Sequence, residues 1–272
     1  RPMVAINQWE QAEDSMYTLC GKDRIHPSTD GHLVMAYLFL KAQGLAGKPV
    51  ADIRIDGAGK KVTRSDNCRV SDLSVSSDNL TFTYEAKSLP YPIDTSYYDN
   101  EKHTQADALS VIPFMDEMNY EGLSVSGLSD GYYGLTIGGE FIGRFTAREL
   151  ERGINMALLQ NTPQYKQAMK IRQMNEERWL KERKMREFYW VEYNLMRKTG
   201  MLWACNEAAV DTLRKYRPHD IFLQWNGDLW LQYMHKGIRE DCVNEQQDLV
   251  NQIYEQNKPI PLRIEIKKFT DL

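Results

Sequence analysis

An aspartate stands three residues ahead of a histidine in Asp23-Arg24-Ile25-His26-Pro27, and this spacing is the one in the chain best suited to chemistry. In a tight segment closed by proline, both side chains can fall on one side of a turn. The imidazole can then act as general base, while the carboxylate fixes its tautomer and stabilises the imidazolium. Proline pushes His26 toward an extended conformation and so keeps it on a loop. Ser28 is placed to cap the apolar helix that follows. The pattern predicts a base on a loop held by a rigid helix.

Asp23, His26 and Pro27, continued by Gly31-His32-Leu33-Val34-Met35-Ala36-Tyr37, resemble the last motif block of the SGNH (GDSL-like) hydrolases. The resemblance implies a serine esterase with His26 as general base and Asp23 as its orienting partner. It implies the C-terminal edge of an α/β/α sandwich, whose final helix follows the histidine loop. Such a domain also needs a nucleophilic serine in a Gly-Asp-Ser segment and oxyanion donors in later blocks, all before the histidine loop. Neither Gly-Asp-Ser nor Gly-x-Asn-Asp precedes Asp23 here. The chain opens at Arg1 and reads as the C-terminal portion of a longer protein, because a base without its nucleophile has nothing to activate. Tyr132-Tyr133-Gly134 through Glu140, Gly153-Ile154-Asn155-Met156-Ala157 and Asn161-Thr162-Pro163 resemble the extension after the histidine loop in larger, Bacteroidetes-like members. The implied partner is a small ester or an acetylated carbohydrate, and the implied location is periplasmic or secreted.

Gly127-Leu128-Ser129-Asp130-Gly131 spells the G-x-S-x-G of a nucleophile elbow, which must join a strand to a helix. Strand-like segments flank it on both sides, so the expectation is a hairpin turn, not an elbow. Asn155 is expected on a helix as a structural hydrogen-bonder. His103, His219 and His235 stand apart with no H-E-x-x-H spacing, and Cys20, Cys68, Cys205 and Cys242 form no C-x-x-C pair. No metal and no cofactor are assigned.

Composition narrows the partners. The 272 residues are 42% hydrophobic with a formal net charge of -4, which supports a sizeable core and does not favour a nucleic-acid backbone. No apolar run approaches the roughly twenty residues that a membrane span requires.

Three zones must position these residues, and together they predict an α+β protein. Residues 1–46 end in a helix over about 28–44, with Leu33, Ala36, Tyr37 and Leu40 on one face. Without the sheet of a complete sandwich, that face is expected to lie open. Residues 47–145 read as an antiparallel β module, with alternating segments at 50–55, 70–75, 80–84, 121–125, 132–137 and 141–145. Tyr91, Tyr132 and Tyr133 are candidate sugar-stacking residues, or else β-core and hairpin aromatics. Residues 146–272 read as helical. Thr146-Ala147-Arg148-Glu149 forms a capping box, Thr162-Pro163 opens a long helix to about Lys198, and a last helix is expected over about 227–257. Residues 262–266 alternate and predict a strand returning to the edge of the β module. Two functional readings follow: the base-bearing part of an ester hydrolase, or a non-catalytic carbohydrate-binding or interaction module.

Overall fold

The computed structural model describes residues 2–21, 23–96 and 103–269. The fold is α+β, with two sheets and two compact units: residues 1–169 together with 258–272, and residues 170–257.

In the first unit, β1 (Ala51–Asp56) pairs antiparallel with β2 (Lys61–Asp66) and parallel with β5 (Glu121–Ser126). The short β8 (Ile154–Asn155) closes the other side of β5, giving the order β2-β1-β5-β8. The second sheet contains β3 (Cys68–Val75), β4 (Asn79–Ala86), β6 (Tyr132–Ile137), β7 (Glu140–Thr146) and β9 (Leu262–Lys268), in the order β3-β4-β9-β6-β7. All its pairings are antiparallel. The expected antiparallel module is thus two sheets, one of them mixed. A parallel pair needs a long crossover, and here everything from β2 to the start of β5 supplies it.

Period-two patterning explains the core. Ile53 and Ile55 on β1, Leu123 and Val125 on β5, Leu80, Phe82 and Tyr84 on β4, Leu135 and Ile137 on β6, and Ile264 and Ile266 on β9 form one buried cluster. Gly138 and Gly139 both take positive φ (59° and 86°), the backbone that a tight β6–β7 hairpin requires. The strand at the C-terminal side of the chain is central, hydrogen-bonded to β4 and β6, and not at the expected edge.

Helix α1 (Pro2–Glu13) precedes the Asp23–His26 loop and α2 (Thr29–Ala42) follows it. Leu33, Val34 and Tyr37 of α2 are buried with Leu19, Ile93, Ala108, Ile112 and Phe114. The face expected to lie open is therefore covered within this chain, by a 3-10 turn (Gln105–Ser110) and the short α3 (Phe114–Glu117). The buried stripe also differs from the expected one, since Ala36 is exposed and Val34 takes its place. A capping box joins Thr146 and Glu149 at the start of α4 (Ala147–Arg152), as its sequence predicts.

Helix α5 (Pro163–Val191) begins in the first unit and continues into the second. There it ends in a single π-helical turn (Glu192–Met196), followed by α6 (Glu207–Tyr216), α7 (Ile221–Tyr233) and α8 (Lys236–Gln256). Phe188, Val191, Leu195, Leu213, Leu223 and Trp230 are among its core residues. The single last helix expected over 227–257 is two helices broken at His235, a corner that no proline or turn-forming pair marks in the sequence. Among the described residues, no helix is long and apolar enough to cross a membrane.

Candidate active site

The Asp23–His26 segment is a closed loop pinned at its base. Gly21 N donates to His26 O (2.8 Å) and Ser28 N to Leu19 O (3.1 Å), with a β-bridge between Cys20 and Pro27. Arg24 turns the chain at φ 57°, and its N–H donates to Gly21 O (2.9 Å). Asp23 Oδ1 accepts from the backbone N–H groups of Ile25 (2.9 Å) and His26 (3.1 Å). Its other oxygen, Oδ2, lies 2.6 Å from His26 Nδ1.

This geometry fixes the imidazole. With Nδ1 donating to Asp23, the neutral ring presents Nε2 as an acceptor, and no described residue is hydrogen-bonded to Nε2. The His26 side chain is 83% exposed and that of Asp23 48%. The bond from the His26 side chain, followed by the two backbone N–H bonds, pulls the Asp23 carboxyl down to about 2. Asp23 is therefore a carboxylate at any working pH, and it can stabilise the imidazolium when His26 takes a proton. The residue pair read from the sequence is brought together as its spacing predicts.

Below the loop lies a group that the sequence does not disclose. Asp30, in the first turn of α2, is 1% exposed, and its Oδ1 accepts from Ser28 Oγ and from Gly31 N (2.8 Å). His103 Nδ1 stands 3.6 Å from its Oδ2. Ser28 thus occupies the N-cap position but spends its hydroxyl on Asp30 and not on the helix backbone. An acidic residue in a first helical turn is a readable signal. A histidine arriving from far along the chain is not.

Ser129 sits where the chain passes from β5 in one sheet to β6 in the other, so the expected hairpin is a crossing between sheets. No helix follows it, and the elbow geometry is absent. Its hydroxyl accepts from Lys268 Nζ (2.8 Å) and lies 3.1 Å from Tyr133 Oη, while Tyr133 also donates to Ser129 O (2.8 Å). These bonds latch the crossing to β6 and β9. Tyr133 is buried in the core, whereas Tyr132 and Tyr91 are exposed, Tyr132 with the Arg144 guanidinium 3.9 Å from its ring and Tyr91 edge-on against Phe114. Tyr133 is thus a core aromatic, the second of the two roles expected for these tyrosines.

Asn155 lies on β8 and not on a helix, and all its side-chain bonds are structural. Its Oδ1 accepts from Glu121 N (2.9 Å) and Ala157 N (3.1 Å), and its Nδ2 donates to Met115 O (3.0 Å) and Asn119 O (3.2 Å).

Residues 169–258 match the family model described as the diltiazem deacetylase C-terminal helical domain, in register with the second compact unit. The chain is also similar to a solved structure of BT4096, a gut microbial diltiazem-metabolizing enzyme, with 42% identity and a TM-score of 0.93. That match covers 98% of this chain and 61% of the enzyme, so the chain spans about three fifths of its length. No curated protein matches it. These findings correct the SGNH resemblance: both matches lie with diltiazem-metabolizing proteins, and neither points to the SGNH family. The motif behind that resemblance is a short local turn that hydrogen bonding within a few residues can build on any fold.

Proposed function

We propose that this chain carries the general base of a hydrolase that removes a small acyl group, acetyl above all, from an ester of a small molecule. The observation that carries the reading is the 2.6 Å contact between Asp23 and His26, with no described residue bonded to the opposite ring nitrogen and the ring exposed. The similarity to a diltiazem-metabolizing enzyme and to a diltiazem deacetylase domain supports an ester substrate of this class. On this reading, a hydroxyl nucleophile gives its proton to His26 Nε2 as it attacks the ester carbonyl. His26 then returns the proton to the departing alcohol, and a second cycle with water releases the acid. Asp23 stays ionised throughout and holds the tautomer. The Asp23–His26 loop supplies the base and its orienting partner, and no residue is assigned as nucleophile or oxyanion donor.

The test is kinetic, in the longest natural form of the protein with p-nitrophenyl acetate. His26→Ala should lower kcat by roughly 10²–10⁴-fold, the usual contribution of a positioned base. Asp23→Asn should cost less, since orientation is only part of the function of the base. Folding should be unaffected in both, because neither side chain is buried. Near-normal turnover by a folded His26→Ala protein would remove the assignment.

A further inference from the structure

The second unit holds a nucleophile–imidazole contact of its own. Cys205 Sγ lies 3.4 Å from His235 Nδ1. Both residues are exposed, whereas Cys68 and Cys242 are buried and Cys20 is partly covered.

The backbone fixes both partners. Trp203, held at φ 63°, donates its N–H to the buried Glu192 Oε2 (2.8 Å), and Ala204 N donates to Met201 O (2.9 Å). On the other side of Cys205, Asn206 caps α6 by accepting from Ala209 N (3.0 Å). His235 is held extended at the corner between α7 and α8 (φ -77°, ψ 121°), just after Met234 N donates to Trp230 O (2.8 Å). Neither residue needs to reorganise for the thiol and the imidazole to meet.

A thiol reacts as its thiolate, and an adjacent imidazole is the usual proton acceptor. The start of α6 immediately after Cys205 adds the positive end of a helix dipole, partly offset by Glu207 in its first turn. We propose that Cys205 and His235 form a reversible thiol-modification site whose reaction partner is a low-molecular-weight disulfide. His235 Nδ1 takes the thiol proton, and Cys205 Sγ attacks one sulfur of the disulfide. The S–S bond breaks, the departing thiolate takes the proton from the imidazolium, and Cys205 is left in a mixed disulfide. Cys205 is oxidised and the departing sulfur is reduced, so no other oxidant is needed. The site shares no residue with the Asp23–His26 loop and does not rest on the hydrolase reading.

Purified protein treated at neutral pH with the aromatic disulfide dithiobis(nitrobenzoate) tests this directly, by the released thiolate and by peptide mapping. Cys205 should be the first cysteine modified, about fivefold faster than a free cysteine of ordinary acidity, which is only a few per cent thiolate at pH 7. Cys205→Ser should abolish the fast phase, and His235→Gln should slow it to the free-cysteine rate while leaving the helical circular dichroism unchanged. A wild-type rate equal to that of free cysteine, fast reaction at Cys20 instead, or a folded His235→Gln protein with an unchanged rate would each overturn the proposal. Should the His235 variant fail to fold, the wild-type rate and the Cys205→Ser result decide the matter.

Discussion

Burial and hydrogen bonding pull two carboxylates of this chain in opposite directions. At Asp23 the donors around an exposed group hold the carboxyl down to about 2. Whatever stability it contributes is present above the ordinary value and is lost progressively as pH falls from there through about 2. Glu121 is the reverse. Desolvation by burial pushes it up to about 7, against the opposing bonds from Tyr84 (2.8 Å) and Gln164 (3.2 Å). Its Oε2 and the Oε1 of Gln164 have no hydrogen-bond partner among the described residues, so a proton on Glu121 adds a donor where oxygens predominate. A raised folded value means that the native state binds the proton more tightly than the unfolded chain. The stability that Glu121 contributes is therefore fully present below the ordinary value of 4.5 and is lost as pH rises toward and through about 7. The loss is roughly 3 kcal/mol, an order-of-magnitude figure at 1.36 kcal/mol per pH unit. Glu121→Gln should flatten this slope and raise the denaturation midpoint at pH 8, as urea titrations across pH would show. An unchanged slope would mean that Glu121 is ionised in the fold. The sequence discloses Asp23 and His26 because their partnership is local. It does not disclose Glu121, whose side-chain partners Tyr84 and Gln164 come from distant parts of the chain.

Among the elements, α2 and the loop before it depend on one glycine. A Cβ at Gly31 would stand 2.0 Å from Leu19 O, the carbonyl that accepts from Ser28 N. In an ordinary helix interior, Gly→Ala is stabilising by about 0.5–1 kcal/mol. Here the same change must push the Leu19 backbone away from the start of α2. Gly31→Ala should instead destabilise by about 1–3 kcal/mol, the usual range for overpacking, and should misplace His26. Denaturant midpoints give the sign, and a stabilised Gly31→Ala protein would show that the close approach is not needed. Amides of 33–40 should be well protected from hydrogen exchange, since Leu33, Val34 and Tyr37 are buried. Helix and strand periods were legible in most of these elements. β2 was not, because Lys61–Asp66 buries no residue and shows no apolar alternation. The cover over α2 was not legible either, because Ala108, Ile112 and Phe114 approach it from short helical turns around Pro113 whose few residues do not say what they pack against.

At the scale of the whole molecule, the second unit is an insertion in the first. The chain leaves along α5 and returns beside its point of departure, where Gln167 Nε2 donates to Lys258 O (2.8 Å). It then lays β9 between β4 and β6. Composition could not reveal this arrangement, because alternation marks 262–266 as a strand without saying which neighbours it meets. Leu262, Ile264 and Ile266 are all buried, each contributing about 1.5–3 kcal/mol, so the sum is comparable with the roughly 5–15 kcal/mol stability of a typical protein. A chain cut after Gln256 should therefore lose the cooperative unfolding of its β core, and a preserved transition in calorimetry would contradict the central placement. The same placement constrains biosynthesis. While a ribosome is still making residues 170–257, β4 and β6 have been synthesised but each lacks the neighbour it is shaped for. Their unpaired edges must wait, through the time needed to translate an entire helical unit, before the sheet can close. The nascent protein is most open to aggregation, and most dependent on chaperones, during that interval.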